Sequence, residues 1–147
     1  MHFTVGAFGN TDFVKKLAKA GTANDIAIYN HSSSEGVLTY VHSLSEKIHT
    51  LLQVIGMTDL PVIWLSQLTP AVGEQIVALD AAGFLHGLII ADGVPQEQIT
   101  QLVKGSSLEA FDIVSNDITE VRQRILKAEI KHADSQPWVP VDNYFEV

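Results

Sequence analysis

Pro61-Val-Ile-Trp-Leu65, then Thr69-Pro70 leading a helical pattern to Ala82, then Gly87-Leu-Ile-Ile-Ala91 follow one another with only short turns between them. Both apolar runs lack the polar alternation of a half-exposed strand, so they belong to strands covered on two faces, as in a parallel sheet. Thr69 before Pro70 is a strong helix start, because proline at the first helical position forfeits no hydrogen bond it would otherwise make. This strand-helix-strand unit sets the fold class.

The same alternation extends in both directions. Downstream come a helix from Pro95 to Val103, a strand from Phe111 to Val114 and a helix from Ile118 to Ile130, the last opened by Asp117 with Glu120 three residues on. Upstream, Phe3 to Phe8 reads as a strand, Thr11 to Ala20 as a helix ended by Gly21, and Asp25 to Tyr29 and Val37 to Val41 as two strands. The residues between those two, His31 to Gly36, are turn formers too few to hold a crossover, so the strands form a hairpin. A helix from Leu44 to Ile55 follows. Its expected inner face is Ile48, Leu51, Leu52 and Ile55, and Ser43 and Glu46 have capping-box spacing at its start. The expected architecture is a three-layer α/β/α sandwich around a mostly parallel six-stranded sheet with one antiparallel strand. Its ligand crevice lies beyond the strands' carboxyl ends.

Composition sets the limits. At 147 residues, 46% of them hydrophobic, and a mean hydropathy of +0.18, the chain can bury one full core. No apolar run approaches the ~18 residues of a membrane span, and the N-terminus lacks a secretory pattern. Absence of cysteine suits a reducing cytoplasm and leaves no thiolate metal site. A net charge of −8 works against non-specific binding to DNA, RNA or anionic membranes.

The first strand runs through Gly6 and Gly9 into a helix, where nucleotide-binding α/β proteins cradle phosphate. A phosphate loop needs about four residues between its glycines, then Lys and Ser/Thr for the outer phosphates and metal. Here only Ala7 and Phe8 lie between Gly6 and Gly9, and Asn10 and Thr11 follow in place of Gly-Lys-Ser/Thr. What remains is a set of backbone N–H groups at Gly6, Gly9, Asn10 and Thr11. Elsewhere the bland readings win. The six histidines are scattered, Ser32 to Ser34 beside His31 read as a solvated turn, Lys15, Lys16 and Lys19 as a solvated basic face, and Phe13, Leu17 and Trp64 as core.

Gly21-Thr-Ala-Asn-Asp-Ile-Ala-Ile-Tyr-Asn30, Ala78-Leu-Asp-Ala-Ala-Gly-Phe-Leu-His-Gly-Leu-Ile-Ile90 and Gly105-Ser-Ser-Leu108 carry a resemblance that covers nearly the whole chain. The chain resembles the archaeal SelB-like, elongation-factor-Tu-related translation factors, in their G domain, a P-loop NTPase fold. The resemblance implies ancestry among factors that carry aminoacyl-tRNA to the ribosome. It also exposes losses. Alignment on Leu38-Thr-Tyr-Val41 puts His42 at the family's magnesium-linked Asp, Ser45 at its phosphate-sensing Gly and Glu46 at its catalytic His. Imidazole is a poor substitute for a carboxylate around magnesium, which selects hard oxygen ligands. The guanine-reading Asn-Lys-x-Asp has only Asp92 as a remnant, in Ala91-Asp-Gly-Val94. Ser115-Asn116 corresponds loosely to the last nucleotide motif, and Thr22 falls near the switch threonine.

A hydrogen bond to a charged group contributes about 1.5 to 3 kcal/mol. Losing the phosphate lysine and a few loop N–H contacts removes over ~5 kcal/mol, beyond a thousandfold in affinity. The reading is therefore a pseudo-GTPase, without catalytic residues or metal, that serves as a scaffold for the ribosome, tRNA or another translation protein. The vestigial anion-binding candidates are Gly6, Gly9, Asn10, Thr11 and Asp92. The alternative is a working GTPase that binds GTP and Mg through a non-standard loop. Residues 1–133 are assigned to the degenerate G domain. Residues 134–147, with the apolar Trp138, Val141, Tyr144 and Phe145, are expected to be a linker and the start of a β-barrel second domain, packing on the domain or on another copy.

Overall fold

The computed structural model describes residues 2–23, 25–33, 36–44 and 47–135. Its seven strands are β1 (His2–Gly9), β2 (Lys19–Ala23), β3 (Ile26–Ser33), β4 (Gly36–Ser43), β5 (Leu60–Leu65), β6 (Leu88–Ala91) and β7 (Asp112–Ser115), in the order β2-β3-β4-β1-β5-β6-β7. All neighbours from β4 to β7 pair in parallel, while β3 runs against both β2 and β4. The six expected strands are all present, in a mostly parallel sheet with one strand reversed. A seventh has been added at the edge.

That strand comes from the segment expected to complete the first helix. Thr11–Phe13 form a 3-10 turn, helix α1 is only Val14–Leu17, and Ala18 is already extended at φ −149° and ψ 163°. Phe13, Val14 and Leu17 are buried, but no apolar residue larger than alanine follows until Ile26. Beyond Leu17 a helix would gain little burial, whereas the backbone of β2 covers the outer edge of β3, which would otherwise be left unpaired.

The other helices are α2 (Ile48–Met57), α3 (Pro70–Ala82), α4 (Gln96–Val103) and α5 (Ile118–Ser135). Two apolar clusters separate them into layers. Phe13, Val14 and Leu17 of the α1 segment and Val121 and Ile125 of α5 pack on one face of the sheet. Leu51 and Val54 of α2, Val72, Ile76 and Leu79 of α3, and Ile99 and Val103 of α4 pack on the other. β5 feeds both: Val62 faces the first cluster and Ile63 the second, the two-sided burial that its apolar run implied. The three-layer α/β sandwich is the observed architecture.

Local boundaries moved where pairing outweighed local signals. β3 and β4 stay in register to Ser33 opposite Gly36, so four residues of the expected turn, His31, Ser32, Ser33 and Gly36, are strand instead. Ser43 belongs to β4, and α2 starts at Ile48 after Lys47, which makes no side-chain cap, so the expected capping box does not form. The buried face of α2 differs from the expected one. Leu51 and Ile55 are buried as expected, but Thr50 and Val54 join them while Ile48 and Leu52 are half exposed. α3 keeps its expected bounds, with the Thr69 hydroxyl accepting from Val72 N–H at 3.3 Å. α5 runs five residues past its expected end and takes in Ala133 to Ser135. Residues 136–147, where most of the linker and barrel-strand expectation falls, lie outside the described residues.

Candidate functional site

Counting the parallel strands alone, β4-β1-β5-β6-β7 is the doubly wound order 2-1-3-4-5, whose switch point lies between β1 and β5. Successive strands leave for opposite sides of the sheet there, the place at the strands' carboxyl ends where this fold class puts its ligand crevice. Gly9 closes β1 at this point with φ +75°, in the left-handed region that glycine enters without strain. A side chain on Gly9 would collide with the Trp64 backbone carbonyl.

Two of the candidate backbone donors at the switch point, those of Gly9 and Asn10, are already engaged. Gly9 N–H donates to Gln75 Oε1 of α3 at 2.9 Å, and Asn10 N–H donates to the Trp64 carbonyl at 2.9 Å. Asn10 turns its own side chain inward, Oδ1 accepting from Asp12 N–H at 3.1 Å to cap the 3-10 turn that Thr11 begins. A phosphate needs several N–H groups converging on open space. At Gly9, Asn10 and Asp12 those groups point at protein oxygens.

Asp92, just past β6, is likewise engaged. Its Oδ2 accepts from the Trp64 indole N–H at 2.9 Å, its Oδ1 accepts from the Asn116 side-chain amide at 2.9 Å, and its own N–H donates to the Leu65 carbonyl at 3.0 Å. One carboxylate therefore ties together the ends of β5, β6 and the segment after β7. The Trp64 ring, half-buried, stacks on Phe13 with centroids 5.0 Å apart and planes 15° from parallel. Trp64 is thus not simple core. It joins the α1 segment to the Asp92 hub across the crevice.

Of the five sequence candidates, Gly9, Asn10, Thr11 and Asp92 gather at the carboxyl ends of the strands. Gly6 does not. It lies within β1 opposite Val41 and Pro61, where a larger residue would overlap the Thr58 side chain. Its role is close packing. His42 is buried near the end of β4, stacked on Tyr29 at 5.7 Å with Nδ1 3.3 Å from the Ser43 carbonyl. Thr22 lies in β2, and Ser45 and Glu46 lie outside the described residues. Ser115 Oγ donates to Glu120 Oε1 at 2.7 Å, so that motif position serves the start of α5. No three His, Asp or Glu side chains converge into a metal-binding group among the described residues.

Gln75 was missed in the sequence, although a signal existed. Val72, Ile76 and Leu79 mark the inner stripe of α3, and Gln75 occupies the same stripe at helical spacing. A half-buried amide on an apolar stripe needs a polar partner, and Gly9 N–H provides it.

No protein-family model matches the chain. It is similar to an uncharacterized protein of Methanocaldococcus jannaschii, with 29% identity over 150 aligned residues that cover 98% of this chain and 48% of that protein. The chain spans about half the length of the curated relative it matches.

Proposed function

We propose that this chain is a degenerate G domain of the SelB-like, elongation-factor-Tu-related kind, a cytoplasmic pseudo-GTPase. It would act as a binding scaffold for the ribosome, tRNA or a partner protein. The observation that carries the reading is the internal bonding of the crevice. Gln75 and the Trp64 carbonyl take two of the N–H groups a phosphate would need, those of Gly9 and Asn10, and Trp64 and Asn116 take the carboxylate that would read a base.

The P-loop relationship is supported by a reversed strand beside a five-stranded parallel core, with a switch point at the end of β1. Loss of nucleotide binding is supported by His42, which is buried against Tyr29 at the family's metal-linked position. Phosphoryl transfer depends almost wholly on positioning and charge stabilisation, so a domain without lysine, metal carboxylate and loop donors has nothing with which to catalyse it.

A nucleotide thermal-shift panel with and without magnesium, run beside sedimentation with ribosomes or tRNA in the absence of nucleotide, tests the proposal. The expected result is no nucleotide-dependent shift and nucleotide-independent co-sedimentation. A magnesium- and guanine-dependent rise in melting temperature would favour a working GTPase with a non-standard loop instead.

A further inference from the structure

The charges of this acidic chain are unevenly distributed. Seven of its nine Lys and Arg residues, but only three of its seventeen Asp and Glu residues, fall in α1, β2 and α5. Those elements carry +4, against −12 for the rest of the chain. α1 and α5 form one outer layer of the sandwich, which brings Lys15 and Lys16 into the same layer as Arg122, about a hundred residues on in sequence.

The meeting point is defined by a hydrogen bond. Arg122 of α5 donates through Nη2 to the Lys16 carbonyl of α1 at 3.1 Å, which sets the guanidinium against the backbone of the helix that carries the two exposed lysines, Lys15 and Lys16. None of the three is in a salt bridge among the described residues. Arg124, by contrast, pairs with Asp112 at 3.7 Å across the other flank of α5, and Lys127 lies one turn on from Arg124 along that flank. One helical turn beyond Arg122, on its own flank, Leu126 is 37% exposed. The patch therefore combines three cations with an apolar contact.

We propose that the α1/α5 surface formed by Lys15, Lys16, Arg122 and Leu126 is a docking site for an acidic peptide segment of a partner protein, one with apolar side chains among its carboxylates. This rests on the scaffold reading and specifies the partner's chemistry. Charge complementarity selects an anion, and Leu126 beside Arg122 selects a polypeptide over a phosphate backbone. Three cations neutralise too few phosphates to hold a nucleic acid against a remainder carrying −12. Carboxylates spaced along a peptide match three discrete charges and carry less charge into that field.

The probe is a fluorescein-labelled synthetic peptide of alternating Glu and Leu, titrated against the full chain by anisotropy at low and high salt, with an RNA duplex titrated in parallel. Saturable peptide binding that weakens with salt and exceeds binding of the RNA is expected. Lys15→Glu, Lys16→Glu and Arg122→Glu together weaken peptide binding about tenfold or more, whereas Arg124→Glu with Lys127→Glu changes it by less than about threefold. Lys15→Gln with Lys16→Gln, which keeps the Arg122 hydrogen bond and so the α1/α5 packing, gives an intermediate loss. Absence of peptide binding, tighter binding of the RNA or undiminished binding by the triple variant overturns the proposal. A GTP titration on the same sample reports on the scaffold reading separately, since nucleotide binding would defeat that reading whatever the peptide does.

Discussion

The strand-end crevice and the α1/α5 surface hold polar groups of similar promise in opposite states. In the crevice, the Gly9 and Asn10 N–H groups and the Asp92 carboxylate are each bonded to another part of the protein. On the α1/α5 surface, Lys15, Lys16 and Arg122 are exposed and form no salt bridge among the described residues, Arg122 bonding only a backbone carbonyl. Polar groups satisfied internally stabilise a fold. Charges left unmatched on one face of an oppositely charged molecule are available to a partner. The difference separates polar groups that serve the structure from charges still open for binding.

The largest expected effect lies at the switch point. Gly9→Ala must hold a side chain at φ +75° against the Trp64 carbonyl, and we expect a loss of about 3 kcal/mol or more in urea unfolding. An unchanged midpoint would mean that the crevice is looser than described. Asp92→Ala leaves the partly buried Trp64 indole and the exposed Asn116 amide without their acceptor and should cost about 1 to 2 kcal/mol, most of it at Trp64. It should also red-shift Trp64 fluorescence, and neither change is expected if the hub is incidental.

Gln75→Ala sharpens the comparison. Releasing Gly9 N–H should cost about 1 kcal/mol. No GTP affinity should be gained, because the lysine and metal ligand are missing as well; a variant that binds GTP would show that Gln75 alone blocks a functional site. At the small end, reversing Lys15, Lys16 and Arg122 should alter stability by less than about 0.5 kcal/mol each, as exposed charges usually do. A larger loss would assign that surface to folding and erase the contrast with the crevice.

How far the sequence could be read follows from where the information sits. Thr69-Pro70 gave α3 its bounds because capping and proline geometry act over three or four residues. Val62 to Leu65 and Leu88 to Ala91 declared their two-sided burial by composition alone. β2 could not be read this way. Lys-Ala-Gly-Thr-Ala has no strand signature, and its conformation comes from the edge of β3, with a register shift between Ala20 and Ala23. Ser43 and Glu46 had the spacing of a cap, but pairing Ser43 with Ile26 kept the chain in β4.

The crevice was legible in the same partial way. Gly9 as a conformational glycine and Asp92 as a strand-end carboxylate could be picked out. Their partners could not, since Gln75 is 66 positions from Gly9, and Trp64 is 28 from Asp92. Gly6 was misleading because a glycine required by close packing against Thr58 looks the same in sequence as one required by a phosphate.

Isothermal titration of the full chain with magnesium and GTP tests the central claim most directly. An internally bonded crevice predicts no saturable heat even at millimolar nucleotide. A one-site isotherm with a micromolar or tighter dissociation constant would contradict it and mark the crevice as a working nucleotide site.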